Sequence, residues 1–185
     1  DESADRTHGL GKMKRIVVIG SGGAGKSAFS RRLGEATGIE VIHLDTVFWR
    51  PGWERTPRDE WELIVSEMVR RDSWIMDGNF GGTREIRIRA CDTVILLDVP
   101  RHVCLYRVIK RAIVFRGKSR PDMAEGCSEK VDFEFLSWVW NYPRQGRRRV
   151  FEEMKAFPRK NFIVLKSTRE AEEFLRKGKS DGFSG

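Results

Sequence analysis

Cysteine is scarce in this 185-residue chain: there are three, Cys91, Cys104 and Cys127, and none belongs to a C-x-x-C pair. Three scattered thiols exclude a disulfide framework and point to a reducing, cytoplasmic setting. The histidines, His8, His43 and His102, lack the spacing of a metal site, so no zinc chemistry is expected. No apolar run approaches the ~18 residues of a membrane span. The opening DESADRTHGLGK has no apolar stretch of the kind a secretory signal carries, and residues 1–12 read as an extension outside the fold. Internal repeats, low-complexity tracts and linker-like stretches are absent as well. One domain is expected over residues 13–178, followed by a short tail at 179–185, as a monomer or a homodimer.

Hydrophobic residues make up 39% of the chain and charged residues 34%, a balance that supports a folded core and excludes a disordered one. The net charge of +8 is unevenly spread. Between Arg101 and Lys160 there are 15 Lys and Arg against 7 Asp and Glu, which leaves 20 of each sign elsewhere. All the excess lies in one third of the chain. Nucleic-acid binders share this pattern, and so do enzymes that fold an arginine-rich flap over a polyphosphate.

Five short apolar runs read as strands: residues 15–19 (RIVVI), 40–44 (EVIHL), 74–76 (WIM), 93–97 (TVILL) and 161–165 (NFIVL). They are nearly continuous rather than alternating, which suits parallel strands covered on both faces. Helix-like stretches lie between them, at 26–35, 57–71, 83–89, 101–115, 131–141, 144–157 and 168–177. In the second of these Thr56 is the expected N-cap, with Pro57 at the first helical position and Asp59 answering the cap. The alternation predicts an α/β fold, a three-layer α/β/α sandwich with a five-stranded parallel sheet and right-handed crossovers. Residues 116–130 are polar, with Gly and Pro, and read as an excursion from it.

The stretch GSGGAGKS, residues 20–27, matches G-x-x-x-x-G-K-[ST]. Glycines reach positive φ and let backbone N–H groups converge on phosphate oxygens, and a helix starting at Lys26 aims its positive end at the same anion. Lys26 suits the outer phosphates, and the Ser27 hydroxyl suits Mg2+. The pattern has meaning only after a strand and before a helix, and both are expected here.

Three strands run into aspartates: VIHLD at Asp45, WIMD at Asp77 and VILLD at Asp98. The carboxyl edge of a parallel sheet is where ligands sit. Asp45 and Asp77 are therefore candidates for Mg2+ or for an attacking hydroxyl, whereas Asp98, in DVP, reads as a turn residue. On CLYRVIKR, Arg107 and Arg111 share one helical face, opposite an apolar face expected from Val103, Leu105, Val108, Ile109 and Ala112. Arg116, Lys118 and Arg120 follow on the excursion, then Arg144, Arg147, Arg148 and Arg149. Phosphoryl transfer asks chiefly for alignment and charge neutralisation, which such groups supply. The aromatic loop DTVFWRPGW, 45–53, has two open readings: a cover over an acceptor pocket, or a hydrophobic pad packed on the next helix through Trp61.

Together, GSGGAGKS, VIHLDTVFWRPGW, WIMDGNF, DTVILLDVP, CLYRVIKR and RPDMAEGC give the chain, from about Met13 to Leu175, a resemblance to adenylate-kinase-like P-loop proteins. It is most similar to the bacterial DNA topology modulation (FlaR-related) group. The resemblance implies a sheet order of 2-3-1-4-5, a lid at about 116–130, and ATP with Mg2+ as the bound species. It also implies donor-phosphate contacts from Gly20, Ser21, Gly22, Gly23, Ala24, Gly25, Lys26, Ser27 and Ala28, with Arg107 and Arg111 beside them and lid arginines among Arg116, Arg120, Arg144 and Arg147. Nucleoside monophosphate kinases carry Asp-Gly-Phe-Pro-Arg after the third strand. This chain has Asp77-Gly78-Asn79-Phe80 with no Pro-Arg following, and Arg84 is the arginine nearby.

The expected activity is therefore phosphoryl transfer from ATP to a small-molecule acceptor. Lys26, Asp45, Asp77, Arg107 and Arg111 are the catalytic candidates, and Ser27, Asp45 and Asp77 the metal candidates. The alternative is a nucleotide-regulated nucleic-acid-binding protein that uses the basic third of the chain.

Overall fold

Strand β1 (Arg15–Gly20) is central because its apolar residues have two faces to bury. Ile16 and Val18 enter one core, Val17 and Ile19 the other, and all four are fully buried. The computed structural model describes residues 13–115, 127 and 132–181. Along them, β1 is followed by α1 (Lys26–Thr37), β2 (Val41–His43), α2 (Leu44–Phe48), and a hairpin of β3 (Trp49–Arg50) and β4 (Glu54–Arg55) joined by a 3-10 turn. Then come α3 (Arg58–Met68), β5 (Trp74–Asp77), α4 (Gly81–Ala90), β6 (Thr93–Leu97) and α5 (Arg101–Val114). The chain ends with α6 (Phe133–Asn141), α7 (Gly146–Lys155), β7 (Asn161–Leu165) and α8 (Thr168–Asp181).

The main sheet has the order β2-β5-β1-β6-β7, parallel throughout. Counting only its own five strands, this is the second, third, first, fourth and fifth, as the resemblance implied. The short hairpin stands apart as a two-stranded antiparallel sheet. One core gathers Phe29 and Leu33 of α1, Val108 of α5, Val139 of α6 and Leu175 of α8 on one sheet face. The other gathers Trp61 and Val65 of α3, Ile88 of α4 and Val150 and Met154 of α7 on the opposite face. Three layers result. A fully buried residue such as Leu33 contributes about 1.5–3 kcal/mol by leaving water.

Register brings the functional edge together. Val18 pairs with Asp77, His43 with Asp77, Gly20 with Leu97, and Leu97 with Leu165. Four strands thus deliver the glycine loop, His43, Asp77 and Asp98 to one rim.

Several local expectations need correction. The second strand stops at His43, and Asp45 lies in the first turn of α2, not at a strand end. Thr56 does not cap α3, whose N-cap is Pro57 without a side-chain bond. Instead, the Thr56 hydroxyl and N–H both donate to the Phe48 carbonyl, at 2.6 and 3.1 Å, and close the hairpin. Ile109 is exposed rather than part of the buried face of α5. The expected excursion at 116–130 lies outside the described residues except for Cys127. That cysteine is buried, and its Sγ donates to the Arg50 carbonyl at 3.3 Å. Residues 1–12, Arg116 and Arg120 also lie outside the described residues.

Candidate active site

The GSGGAGKS segment joins β1 to α1 as a tight loop, with Gly23 at φ 78° and Gly25 at φ 92°. Both positions require glycine, since side chains with a Cβ avoid that region. Close packing also excludes a Cβ at three positions, Gly23 among them. A Cβ on Gly20 would stand 2.8 Å from the Leu97 carbonyl oxygen, and one on Gly23 would collide with the Cys104 carbonyl. A Cβ on Gly22 would stand 2.8 Å from the ring of Phe135. Strand β6, α5 and α6 therefore wall the loop. Ala24 is buried behind it, and the start of α1 leaves Ser27 half-buried and Ala28 exposed.

Lys26 is half-buried and folds back on the loop. Its Nζ donates to the carbonyls of Gly20 and Ser21, each at 3.0 Å. Burial lowers its pKa below the ordinary lysine value, the carboxylates of Asp45 and Asp77 pull it up, and Arg111 pushes it down. The sequence-derived candidates Lys26, Asp45, Asp77 and Arg111 thus share one electrostatic neighbourhood. An anion at the loop meets Lys26, the first amides of α1 and a guanidinium, while the two carboxylates suit a cation or a hydroxyl proton.

Arg107 lies beside the loop, its Nη1 3.7 Å from where a Cβ of Gly25 would stand, and its Nη2 donates to Thr168 Oγ1 at 2.8 Å. It bridges α5 to the start of α8. Arg147 is engaged elsewhere: its Nε donates to Asp98 Oδ2 at 2.8 Å and its guanidinium lies 4.6 Å from the centre of the Phe151 ring. Asp98 is thereby an anchor for α7, in keeping with its reading as a turn residue. Arg144, just before α7, and Arg148 and Arg149 within it are exposed and line one surface with Glu152 and Glu153.

Arg84, the arginine near the third strand, is buried in a bidentate pair with Glu153, at 2.5 and 2.6 Å, and points to α7. One helical turn on, Arg87 is fully buried. It donates to the carbonyls of Gly78, Asn79 and Phe80 at 3.0, 2.9 and 3.1 Å. Burial, reinforced by Arg84, lowers its pKa to about 9. The segment it grips is unusual, with Gly78 at φ 138° and Phe80 at φ 26°. Such a conformation costs on the order of 1–3 kcal/mol for a residue with a side chain, so Arg87 offsets a strained loop.

Sequence reasoning missed four residues here. His43, set aside for lack of metal spacing, places Nδ1 3.0 Å from both carboxylate oxygens of the buried Asp77. Asn79 bonds the Gly20 backbone, and its Oδ1 also accepts from the Tyr142 hydroxyl at 3.3 Å. Arg87 is the third and Tyr142 the fourth. The His43 signal was a polar residue at the end of an apolar strand; the others depend on contacts 7 to 63 residues apart.

The aromatic loop divides. Phe48 packs against Trp61 and Phe80, with ring centres 5.1 and 4.7 Å away, and belongs to the core. Trp49 and Trp53 pair across the hairpin at 5.2 Å with Arg55 beside the Trp49 ring.

A parallel sheet of this order, with a glycine loop ahead of the first helix and carboxylates on the same rim, is the fold of P-loop kinases. A shikimate kinase from Acinetobacter baumannii superposes with TM-score 0.61 at 16% identity, over 91% of this chain and 92% of that one. A gluconokinase from Sinorhizobium meliloti superposes with TM-score 0.50 at 16% identity, over 92% and 96%. A sugar kinase from a Janibacter species does so with TM-score 0.50 at 18% identity, over 91% and 93%. No family description matches the chain, and no curated protein does. Among the described residues, no helix is long and apolar enough to cross a membrane.

Proposed function

We propose that the protein is an ATP- and Mg2+-dependent phosphotransferase whose acceptor is a small molecule carrying a hydroxyl. The observation that supports this reading is the glycine loop, with Lys26 Nζ on its Gly20 and Ser21 carbonyls, on the same sheet rim as Asp77, which pairs with Val18 of β1. In this reading the amides of residues 20–28 and Lys26 hold the outer phosphates, and Arg107 and Arg111 neutralise charge from the α5 side. Ser27 and Asp45 offer the hard oxygen donors that Mg2+ prefers, which leaves Asp77 for the acceptor hydroxyl. Among the described residues no three His, Cys, Asp or Glu side chains gather into a metal site. The cation would then share its shell with phosphate oxygens and water. When bound, Mg2+ supplies neutralisation of the phosphate charge.

Asp77 is the proton acceptor for the attacking hydroxyl, and His43 orients its carboxylate. The attacking oxygen bonds to the terminal phosphorus, the bond to the leaving phosphate breaks, and the hydroxyl proton passes to Asp77. The acceptor is a hydroxyl compound and not a nucleoside monophosphate, because Arg84 is paired with Glu153 and Arg87 with loop carbonyls. Neither is available to grip a second phosphate. Arg116 and Arg120 are proposed lid contacts to ATP. The nucleic-acid alternative has less support, since Arg147 is engaged with Asp98 and Glu152 and Glu153 line the same surface as Arg144, Arg148 and Arg149.

The test is coupled ADP release across polyols, sugars, hydroxy acids, nucleosides and nucleoside monophosphates. Turnover stimulated by a hydroxyl compound is expected. Stimulation only by nucleoside monophosphates would overturn the acceptor class, and tight ATP binding with no stimulated turnover would sink the enzyme reading.

A further inference from the structure

The glycine loop and the loop after β5 belong to different crossovers, yet one side chain joins them. Asn79 Nδ2 donates to the Gly20 carbonyl at 2.8 Å, and Asn79 Oδ1 accepts from the Gly20 N–H at 3.4 Å. The side-chain amide thus mimics a strand neighbour for the first glycine of the loop, just where β1 and β5 stop pairing. The same Oδ1 accepts from the hydroxyl of Tyr142, in the turn between α6 and α7. Beneath it, the guanidinium of Arg87 holds the carbonyls of Gly78, Asn79 and Phe80. The Asn79 backbone is therefore immobilised before its side chain reaches the loop.

The Gly20 carbonyl has a second donor, the Lys26 ammonium at 3.0 Å. A phosphate arriving at the loop competes for that ammonium. When Lys26 turns to it, Asn79 Nδ2–H keeps the Gly20 carbonyl satisfied, so the loop retains its shape while its lysine changes partner.

We propose that Asn79 is a positioning residue that locks the glycine loop to the Asp77 loop and holds donor and acceptor sides in register. This rests on the phosphotransferase reading for its catalytic consequence, but the joint itself is testable without it. Hydrogen–deuterium exchange of nucleotide-free protein reads the amides of residues 18–25 directly. Asn79→Ala is expected to speed exchange there by about tenfold, the effect of one lost bond to a buried backbone group, with β6 and β7 unchanged. Asn79→Asp, isosteric but unable to donate to the Gly20 carbonyl, should do the same. Tyr142→Phe, which removes one hydroxyl and no packing, should give a smaller acceleration in the same peptides.

With a non-hydrolysable ATP analogue and Mg2+, wild type should show protection at 18–25, and Asn79→Ala should bind about tenfold more weakly. Unchanged exchange at 18–25 in both Asn79 variants overturns the proposal. If Asn79→Ala unfolds, unchanged exchange in Asn79→Asp and Tyr142→Phe overturns it equally. Absence of protection by the analogue in wild type would instead count against the phosphotransferase reading, leaving the apo exchange result to decide on Asn79.

Discussion

The imidazole Nδ1 of His43 stands 3.0 Å from both carboxylate oxygens of Asp77, across the parallel pairing of β2 and β5. Asp77 is almost wholly buried and His43 half-buried, so the pair faces the rim of the sheet in a setting of low dielectric. A carboxylate held in this way is oriented for one task.

Asp77→Asn keeps shape and hydrogen bonding but removes the base. Acceptor-stimulated turnover is expected to fall by about 10²-fold or more, with ATP-analogue affinity changed much less. His43→Gln should fall by less, about tenfold, since it removes orientation only. Equal, wild-type rates in both would refute the assignment; the measurement is steady-state coupled ADP release.

Lys26 gives a pH signature. Burial lowers its pKa in the folded chain, so between that lowered value and the ordinary 10.5 the unfolded chain holds the extra proton. Stability from this group therefore rises with pH across that window and is flat below the folded pKa. Urea midpoints should show wild type gaining on Lys26→Met as pH climbs toward 10.5. Parallel curves would contradict the desolvated ammonium.

The loop glycines differ in tolerance. Gly23→Ala combines a positive φ with a collision against the Cys104 backbone and should cost about 2–4 kcal/mol. Gly81→Ala, at the start of α4 with nothing within 4 Å, should stabilise by about 0.4–1 kcal/mol. Denaturant unfolding checks both.

The Arg84–Glu153 pair is lopsided, with side chains 7% and 34% exposed. Glu153→Leu strands a buried guanidinium and should cost about 3 kcal/mol, whereas Arg84→Met leaves a carboxylate that water can reach and should cost about 1 kcal/mol. Reversal of that order in urea melts would count against the burial argument.

Much of the scaffold is legible in the residues themselves. Runs such as RIVVI and TVILL have no polar face, so they require cover on both sides and a parallel sheet with helices between. The pattern GSGGAGKS demands positive φ and a helix start wherever it occurs. Hence Lys26 and Ser27 are identifiable as candidates from the spacing of the pattern, and Asp77 from its place at the end of a strand. Local rules failed where tertiary partners outbid them. Thr56 was a sound N-cap by type, yet its hydroxyl went to the Phe48 carbonyl, and Asp45 passed from a strand end to a helix turn because β2 is an edge strand that stops early.

What the sequence determines by itself is the layered α/β fold and the anion-ready loop, since periodicity and glycine content act within a few residues. What only the tertiary structure decides is the partner of each charge and amide: Asp77 with His43, Arg84 with Glu153, Arg87 with three carbonyls, Asn79 with Gly20. Those choices depend on strand register and layer packing, which bring together groups as much as 69 residues apart, and no local pattern encodes that distance.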